Sequence, residues 1–195
     1  MQNSSQIKVW DPLVRIFHWT LAGSFIVAFA TEDDLMDLHV WAGYLLLSVI
    51  LIRVVWGFIG TEHARFTDFV TRPSTAWRYV KDTISLRAKR YIGHNPAGGL
   101  MIVMMLIGLL LTGLSGIALY GVEEHAGPMA SLFANGNYAW LEDPLEGLHE
   151  FLANFMMLLV VIHVSGVILE SLLHRENLVR AMWDGYKNSD NVSNQ

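Results

Sequence analysis

The stretch GLHEFLANFMMLLVVIHVSGVILESLL, residues 147–173, decides the fold. It is apolar throughout its middle and long enough to cross a hydrocarbon core, which takes about 20 helical residues for about 30 Å. It also carries His149 and His163, fourteen residues apart. A polar side chain in lipid is costly and normally faces the bundle interior, so an ionisable residue inside a span is a functional candidate by default. On an α-helix that spacing is close to four turns, so both imidazoles point to nearly the same face, separated by about 21 Å along the axis. One metal ion cannot use both, and each needs a partner from another helix at its own depth.

The whole chain agrees with a membrane reading. Of its 195 residues 53% are hydrophobic and only 16% charged, outside the usual range of soluble domains. Three further apolar stretches reach spanning length, giving helices near 13–31, 38–59, 97–120 and 148–173. Asp11 followed by Pro12 is a start signal for the first, through carboxylate capping and the fit of proline to a first turn. The N-terminal stretch MQNSSQIKVWDPLVRIF has no small-residue cleavage site before the apolar run, so the first segment is expected to be retained. The segment RPSTAWRYVKDTI, 72–84, alternates apolar and basic residues at helical spacing; it reads either as a helix along the inner headgroups or as a solvated connector. There is no nucleotide-binding glycine loop, nucleic-acid motif or internal repeat, and the polar tail NSDNVSNQ is the one low-complexity stretch. The expectation is an all-α, integral membrane four-helix bundle forming a single domain over 1–195.

Charge fixes the orientation. The 13 Lys and Arg residues fall in 1–17, at Arg53, in 61–93 and in 173–195. The loops 31–37 and 121–146 have none, and carry Glu32, Asp33, Asp34 and Asp37 in one and Glu123, Glu124, Glu142, Asp143 and Glu146 in the other. By the positive-inside rule both termini are cytoplasmic and the acidic loops face outward.

Depth then pairs the histidines. Of eight, His63, His94, His125 and His174 fall in loops or at their edges, whereas His18, His39, His149 and His163 lie within the spans. The first helix runs outward with His18 in its inner part; the second and fourth run inward, with His39 and His149 near their outer ends and His163 deeper. This matches His39 with His149, and His18 with His163. Cysteine is absent, which excludes thiolate ligands and covalent haem attachment. Two neutral imidazoles without carboxylate suit neither calcium nor magnesium and are too few for structural zinc, but they are the axial pair of a b-type haem. Gly43, Ala153, Gly166 and Gly23 lie three to five residues from the four histidines, where a flat macrocycle could rest; small residues also pack membrane helices in general. The third helix has no histidine and is expected to be a packing wall. Arg53 either meets a haem propionate or snorkels to the headgroups, Arg15 could serve as Arg53 does, and Glu170 pairs with His174 or reaches the surface.

The segments VWDPLVRIFHWTLAGSFIVAF, DLHVWAGYLLLSVILIRVVWGFIG, YIGHNPAGGLM and LHEFLANFMMLLVVIHVSGV resemble the bacterial cytochrome b561 family, which includes the b-type cytochrome subunits of nickel-iron hydrogenase and formate dehydrogenase. The likeness covers about residues 8–185. It joins the R-x-F-H-W opening, the histidine at the start of the second helix, the R-V-V-W-G-F-I-G ending and the fourteen-residue pair. It implies two haems b and electron exchange with the quinone pool of the bacterial inner membrane. It also implies that Asn95, beside the third helix, contacts quinone, although Asn-Pro is equally an ordinary helix-start turn.

The function expected is electron transfer between membrane quinol and a periplasmic partner such as a cytochrome c with a basic docking face. The alternatives are a superoxide oxidase reducing quinone, which outer loops lacking Lys and Arg disfavour; a membrane-anchor subunit of a larger dehydrogenase or hydrogenase; and a transporter with pore histidines.

Overall fold

The computed structural model describes residues 6–32 and 34–188; Asp33 and the tail beyond Asn188, both read above from sequence, lie outside the described residues. In chain order the elements are β1 (Gln6–Lys8), α1 (Pro12–Ala30), α2 (Met36–Ile59), α3 (Phe66–Phe69), α4 (Pro73–Ile84), α5 (Pro96–Glu123), α6 (Ala130–Phe133), α7 (Glu142–Leu173), α8 (Leu178–Asp184) and β2 (Tyr186–Asn188). The fold is all-α apart from one short ribbon, and α1, α2, α5 and α7 are each long and apolar enough to span a membrane. Their outward surfaces carry Ile16, Ile26, Trp41, Leu51, Phe58 and Leu172, all exposed. Apolar surface on that scale marks a partner or a membrane, and here the solvent is lipid. Helix α7 starts six residues before the expected 148, because Glu142 and Asp143 in its first turn suit the positive end of the helix dipole.

The chain packs as two compact units. One comprises residues up to Trp19, Ile52–Val103 and Val161 onward, the other Thr20–Leu51 and Met104–Val160. All 13 Lys and Arg residues belong to the first and none to the second. We call them the basic and the acidic unit; the positive-inside rule assigns the basic unit to the cytoplasmic face.

In the basic unit, Asp11 caps α1 as its sequence position predicts: Oδ1 accepts from the Val14 amide at 2.9 Å. Its other oxygen accepts from Thr61 Oγ1 at 2.5 Å and Trp56 Nε1 at 3.3 Å, tying the start of α1 to the end of α2. Burial opposes the charged form of this carboxyl, but these hydrogen bonds, Thr61 first, hold it below its ordinary range. Strand β1 pairs antiparallel with β2, Ile7 opposite Lys187. Val9, Trp10, Val14, Ala64 and Ala181 form a small core beside this ribbon. Gly185, at φ +92°, turns the chain into β2 where a Cβ would come within 2.8 Å of the Trp10 carbonyl.

The amphipathic helix expected over 72–84 is α4. It buries Ala76, Tyr79 and Thr83 and leaves Trp77 and Ile84 exposed. Glu170 of α7, 9% exposed, anchors it: Tyr79 Oη donates to one carboxylate oxygen at 3.1 Å and Thr83 Oγ1 to the other at 3.2 Å. His174 lies one turn on with Nε2 3.2 Å from Glu170, within ion-pair distance but without hydrogen-bond geometry, so the two side chains are neighbours and Glu170 does not reach the surface. Burial, then the Glu170 charge, raises the Tyr79 hydroxyl pKa and keeps it a donor.

In the acidic unit α5 offers its glycines to its neighbours. A Cβ at Gly108 would meet Met156 of α7 at 2.4 Å, and one at Gly113 would meet Leu47 of α2 at 2.5 Å. Met156 is fully buried in this contact.

Candidate functional site

Each unit brings two span histidines face to face. In the acidic unit His39 enters from the first turn of α2 and His149 from α7, with ring centroids 5.9 Å apart and planes at 72°. His39 Nδ1 lies 2.9 Å from the Ala28 carbonyl, in the last turn of α1 where carbonyls lack helical partners. His149 Nδ1 lies 3.0 Å from the Thr112 carbonyl of α5 and 3.1 Å from Ser115 Oγ. A carbonyl only accepts, so both Nδ1 atoms carry hydrogen and both Nε2 atoms keep a free lone pair. Ser115 donates its own hydrogen to the same Thr112 carbonyl at 2.8 Å. Gly116 makes room: a Cβ there would sit 2.8 Å from His149 Cε1. Helix α5 is therefore more than the packing wall its lack of histidine suggests, because it orients His149. A partly open cavity lies here, lined by both histidines, Gly43 and Ala153, with the exposed Glu32 also in its wall.

In the basic unit His18 of α1 and His163 of α7 face each other with centroids 6.3 Å apart and planes at 49°. Buried nitrogens of this unit without a hydrogen-bond partner include His18 Nδ1, Arg15 Nε, Arg53 Nη1 and His94 Nδ1. Arg53 is only 6% exposed; Nη2 donates to the Ala64 carbonyl at 3.1 Å and its guanidinium lies 5.4 Å from the Phe66 ring centroid. It stays inside the unit, in place of snorkelling. Arg15 donates through Nη1 to the Trp183 carbonyl of α8. His94 is wedged between Trp10 and Phe69 at 4.4 and 4.8 Å. Burial first, then the positive charges of Lys187 and Arg53, lowers its pKa to about 3, so it is neutral. Its place between loop and helix start conceals it in the sequence. The nearest clue is the run of aromatic, glycine and proline residues around it in YIGHNPAGG, which marks a tight entry into α5. Asn95 caps α5, its Oδ1 accepting from the Gly98 amide at 2.7 Å. Among the described residues no three His, Asp or Glu side chains converge.

The donor set and spacing fit haem. Metal–imidazole bonds of about 2.0 Å on either side of one ion place the ring centres roughly 6 Å apart, as both pairs have them. Unpartnered buried guanidinium nitrogens in the same unit, on Arg15 and Arg53, are what two propionates require, since a buried donor left unmade is expensive. Four apolar helices with two facing imidazole pairs and no thiolate have the makings of a membrane cytochrome of the b type.

The chain belongs to the prokaryotic cytochrome b561 family, whose sequence profile matches residues 9–185. It is 27% identical over 222 residues to the probable Ni/Fe-hydrogenase B-type cytochrome subunit of Azotobacter vinelandii, covering 96% of this chain and 90% of that protein. The protein of the same description from Rhizobium leguminosarum bv. viciae is 29% identical over 213 residues, with coverage of 92% and 87%. That from Cupriavidus necator is 25% identical over 216 residues, with 92% and 86%. An alignment of 222 positions exceeds the 195 residues of this chain, so the Azotobacter protein carries segments without a counterpart here. No solved structure matches the chain significantly. This is a multi-pass b-type cytochrome of the bacterial inner membrane, a family that uses haem b.

Proposed function

We propose that the chain holds two haems b, one between His39 and His149 and one between His18 and His163, and conducts electrons across the membrane between quinone and a redox partner at the outer face. The observation that carries this is the pair of imidazole couples at metal-bridging distance, with Nε2 free in the outer one. Bound haem would supply reversible one-electron chemistry, and the two imidazoles of each pair would hold its iron and keep oxygen and substrate from it. Arg53 and Arg15 would hold propionates through the nitrogens that lack protein partners, as charge-assisted hydrogen bonds. With its oxygen committed to the α5 cap, Asn95 offers a quinone carbonyl only its amide hydrogens.

The test is haem content. Full-length protein should hold two haems per chain, and His149→Ala and His163→Ala should each lose one while the chain stays folded. Unchanged pigment in both variants sinks the ligation.

For the partner, the reading best supported is a membrane subunit of a larger dehydrogenase or hydrogenase, because the relatives are described as hydrogenase cytochrome subunits and match nearly the whole chain. A second reading, exchange with a basic cytochrome c, is favoured by an acidic unit with no Lys or Arg. Copurification with a large oxidoreductase supports the first; a cytochrome c reduction rate that falls steeply with ionic strength supports the second.

A further inference from the structure

Helix α4 buries one face and leaves another bare. The buried face, Ala76, Tyr79 and Thr83, is tied to the basic unit through Glu170. The bare one carries Trp77, Lys81 and Ile84, spaced four and three residues apart and therefore on one side of the helix. We propose that residues 72–89 form a seat for an anionic phospholipid of the inner leaflet, with Arg78 and Lys81 meeting its phosphate and Trp77, Ile84 and Leu86 entering the acyl boundary. Haem plays no part in this contact, so its failure and that of the ligation proposed above are distinguishable.

Leu86 shows that this surface has a partner outside the chain. It sits in the left-handed region, at φ +57°, where α4 stops. Its amide donates to the Thr83 carbonyl at 3.0 Å, and the Arg87 amide donates to the Asp82 carbonyl at 2.8 Å. That closing pattern favours glycine at the left-handed position, because a Cβ there crowds the following carbonyl. The same unit does use glycine where such a bend is buried, at Gly185 with φ +92°. Residue 86 is instead a leucine, 67% exposed, two positions from Ile84 at 72%. A strained backbone that presents an apolar side chain which the protein itself leaves mostly uncovered is explained by something apolar beyond the protein.

Charge says what kind of partner it is. Between residues 72 and 89 lie Arg72, Arg78, Lys81, Arg87 and Lys89, all exposed, against one acid, Asp82. Among the described residues none of these five cations is paired with a carboxylate. Lys81 Nζ lies 5.6 Å from the centroid of the exposed Trp77 ring, so cation and indole share one spot on the surface. An aromatic ring beside an ammonium suits a membrane–water boundary, where one end of the contact is apolar and the other wet. The basic unit faces the cytoplasm, and the leaflet on that side is negatively charged and draws Lys and Arg to it. Free phosphate or an acidic protein would answer the cations and leave Ile84 and Leu86 in water. A phospholipid answers both, its phosphate to the basic side and its chains to the apolar one.

The experiment is amide hydrogen exchange on full-length protein in nanodiscs of phosphatidylcholine alone and of phosphatidylcholine mixed with phosphatidylglycerol. Exchange over residues 72–89 should slow roughly tenfold in the anionic discs, the effect of one to two cations held near a charged surface. High salt should erase the difference. The double variant Arg78→Gln with Lys81→Gln, at two exposed positions that the fold does not use, should erase it as well. Leu86→Gly should melt no lower than wild type in detergent, because glycine suits the bend, yet exchange faster than wild type in the anionic discs. The proposal is overturned if both kinds of disc protect the segment equally or if the double variant keeps the difference. It is overturned too if Leu86→Gly lowers the melting temperature, which would mean that Leu86 packs within the protein, or if inorganic phosphate added to phosphatidylcholine discs slows exchange as much as phosphatidylglycerol does.

Discussion

At the scale of single residues, the facing histidine pairs were legible and their supports were not. A histidine in an apolar helix stands out because lipid cannot solvate it, and helical rise alone then sorts four such residues into two depths. The carbonyls of Ala28 and Thr112 that orient them belong to the backbone and leave no mark on the sequence. Gly116 is the exception that could have been noticed, as one of three glycines in nine positions of α5. Gly116→Ala would place a methyl against a ring held by hydrogen bonds, so the ring must swing and lose its Thr112 contact. We expect about half the haem to be lost, read as the ratio of haem to protein. At Gly43 a Cβ meets nothing within 4 Å, so Gly43→Ala should fold as wild type, whereas Gly43→Leu fills the cavity and should lose the outer haem.

Asp11 gives a pH prediction with a definite sign. Its folded carboxyl titrates below the ordinary value of about 3.9, so between the two values the unfolded chain binds more protons. The stability it contributes is complete above that ordinary value and is lost as pH falls through the folded one. Asp11→Ala should cost about 0.5–2 kcal/mol at neutral pH, the usual range for a lost cap. It should also flatten the fall in melting temperature between about pH 5 and about pH 2 relative to wild type. Parallel melting curves for the two proteins would show that the cap does not contribute this way.

At the scale of elements, periodicity located α4 within one residue, while its attachment had to be seen. The alternation of apolar and basic residues says that one face is buried, but not against what. The answer is a carboxylate on α7, and a glutamate near the end of a span reads equally well as a surface residue. Glu170 is held by two hydroxyls, so removing one donor weakens the support of a buried charge. Tyr79→Phe should destabilise by about 1–3 kcal/mol, measured as thermal unfolding in detergent, with haem content retained. It should also expose the α4 segment to protease sooner than the rest of the chain. Uniform proteolysis would mean that Glu170 does not anchor the helix. The start of α7 was misplaced for a related reason: Glu142 and Asp143 look too polar for a span, yet acids belong in a first turn that projects beyond the hydrocarbon.

At the scale of the whole molecule, the distribution of charge in the sequence coincides with a division found independently in the packing. Every Lys and Arg falls in one compact unit, although that unit is assembled from three separate stretches of chain. Orientation is therefore strongly specified, since loops this short obey the basic-residue rule. Alkaline phosphatase fused after residue 195 should be inactive, and the same reporter inserted in the loop at 134–137 should be active; the reverse pattern would invert the topology. What the sequence alone left open at this scale was which unit would shelter unmatched cations, because Arg53 could have reached the headgroups. Its 6% exposure decides the matter.

The ribbon of β1 and β2 joins Gln6–Lys8 to Tyr186–Asn188, almost the full length of the described chain apart. Ribosomes add about 5–20 residues per second, so the first strand waits on the order of ten to forty seconds for its mate. Every other strand or helix of the basic unit has been made by then, and this clasp is the last piece to arrive. A chain cut before Tyr186 therefore keeps every residue of the acidic unit but lacks the clasp of the basic one, and limited proteolysis of such a truncation should begin in the basic unit.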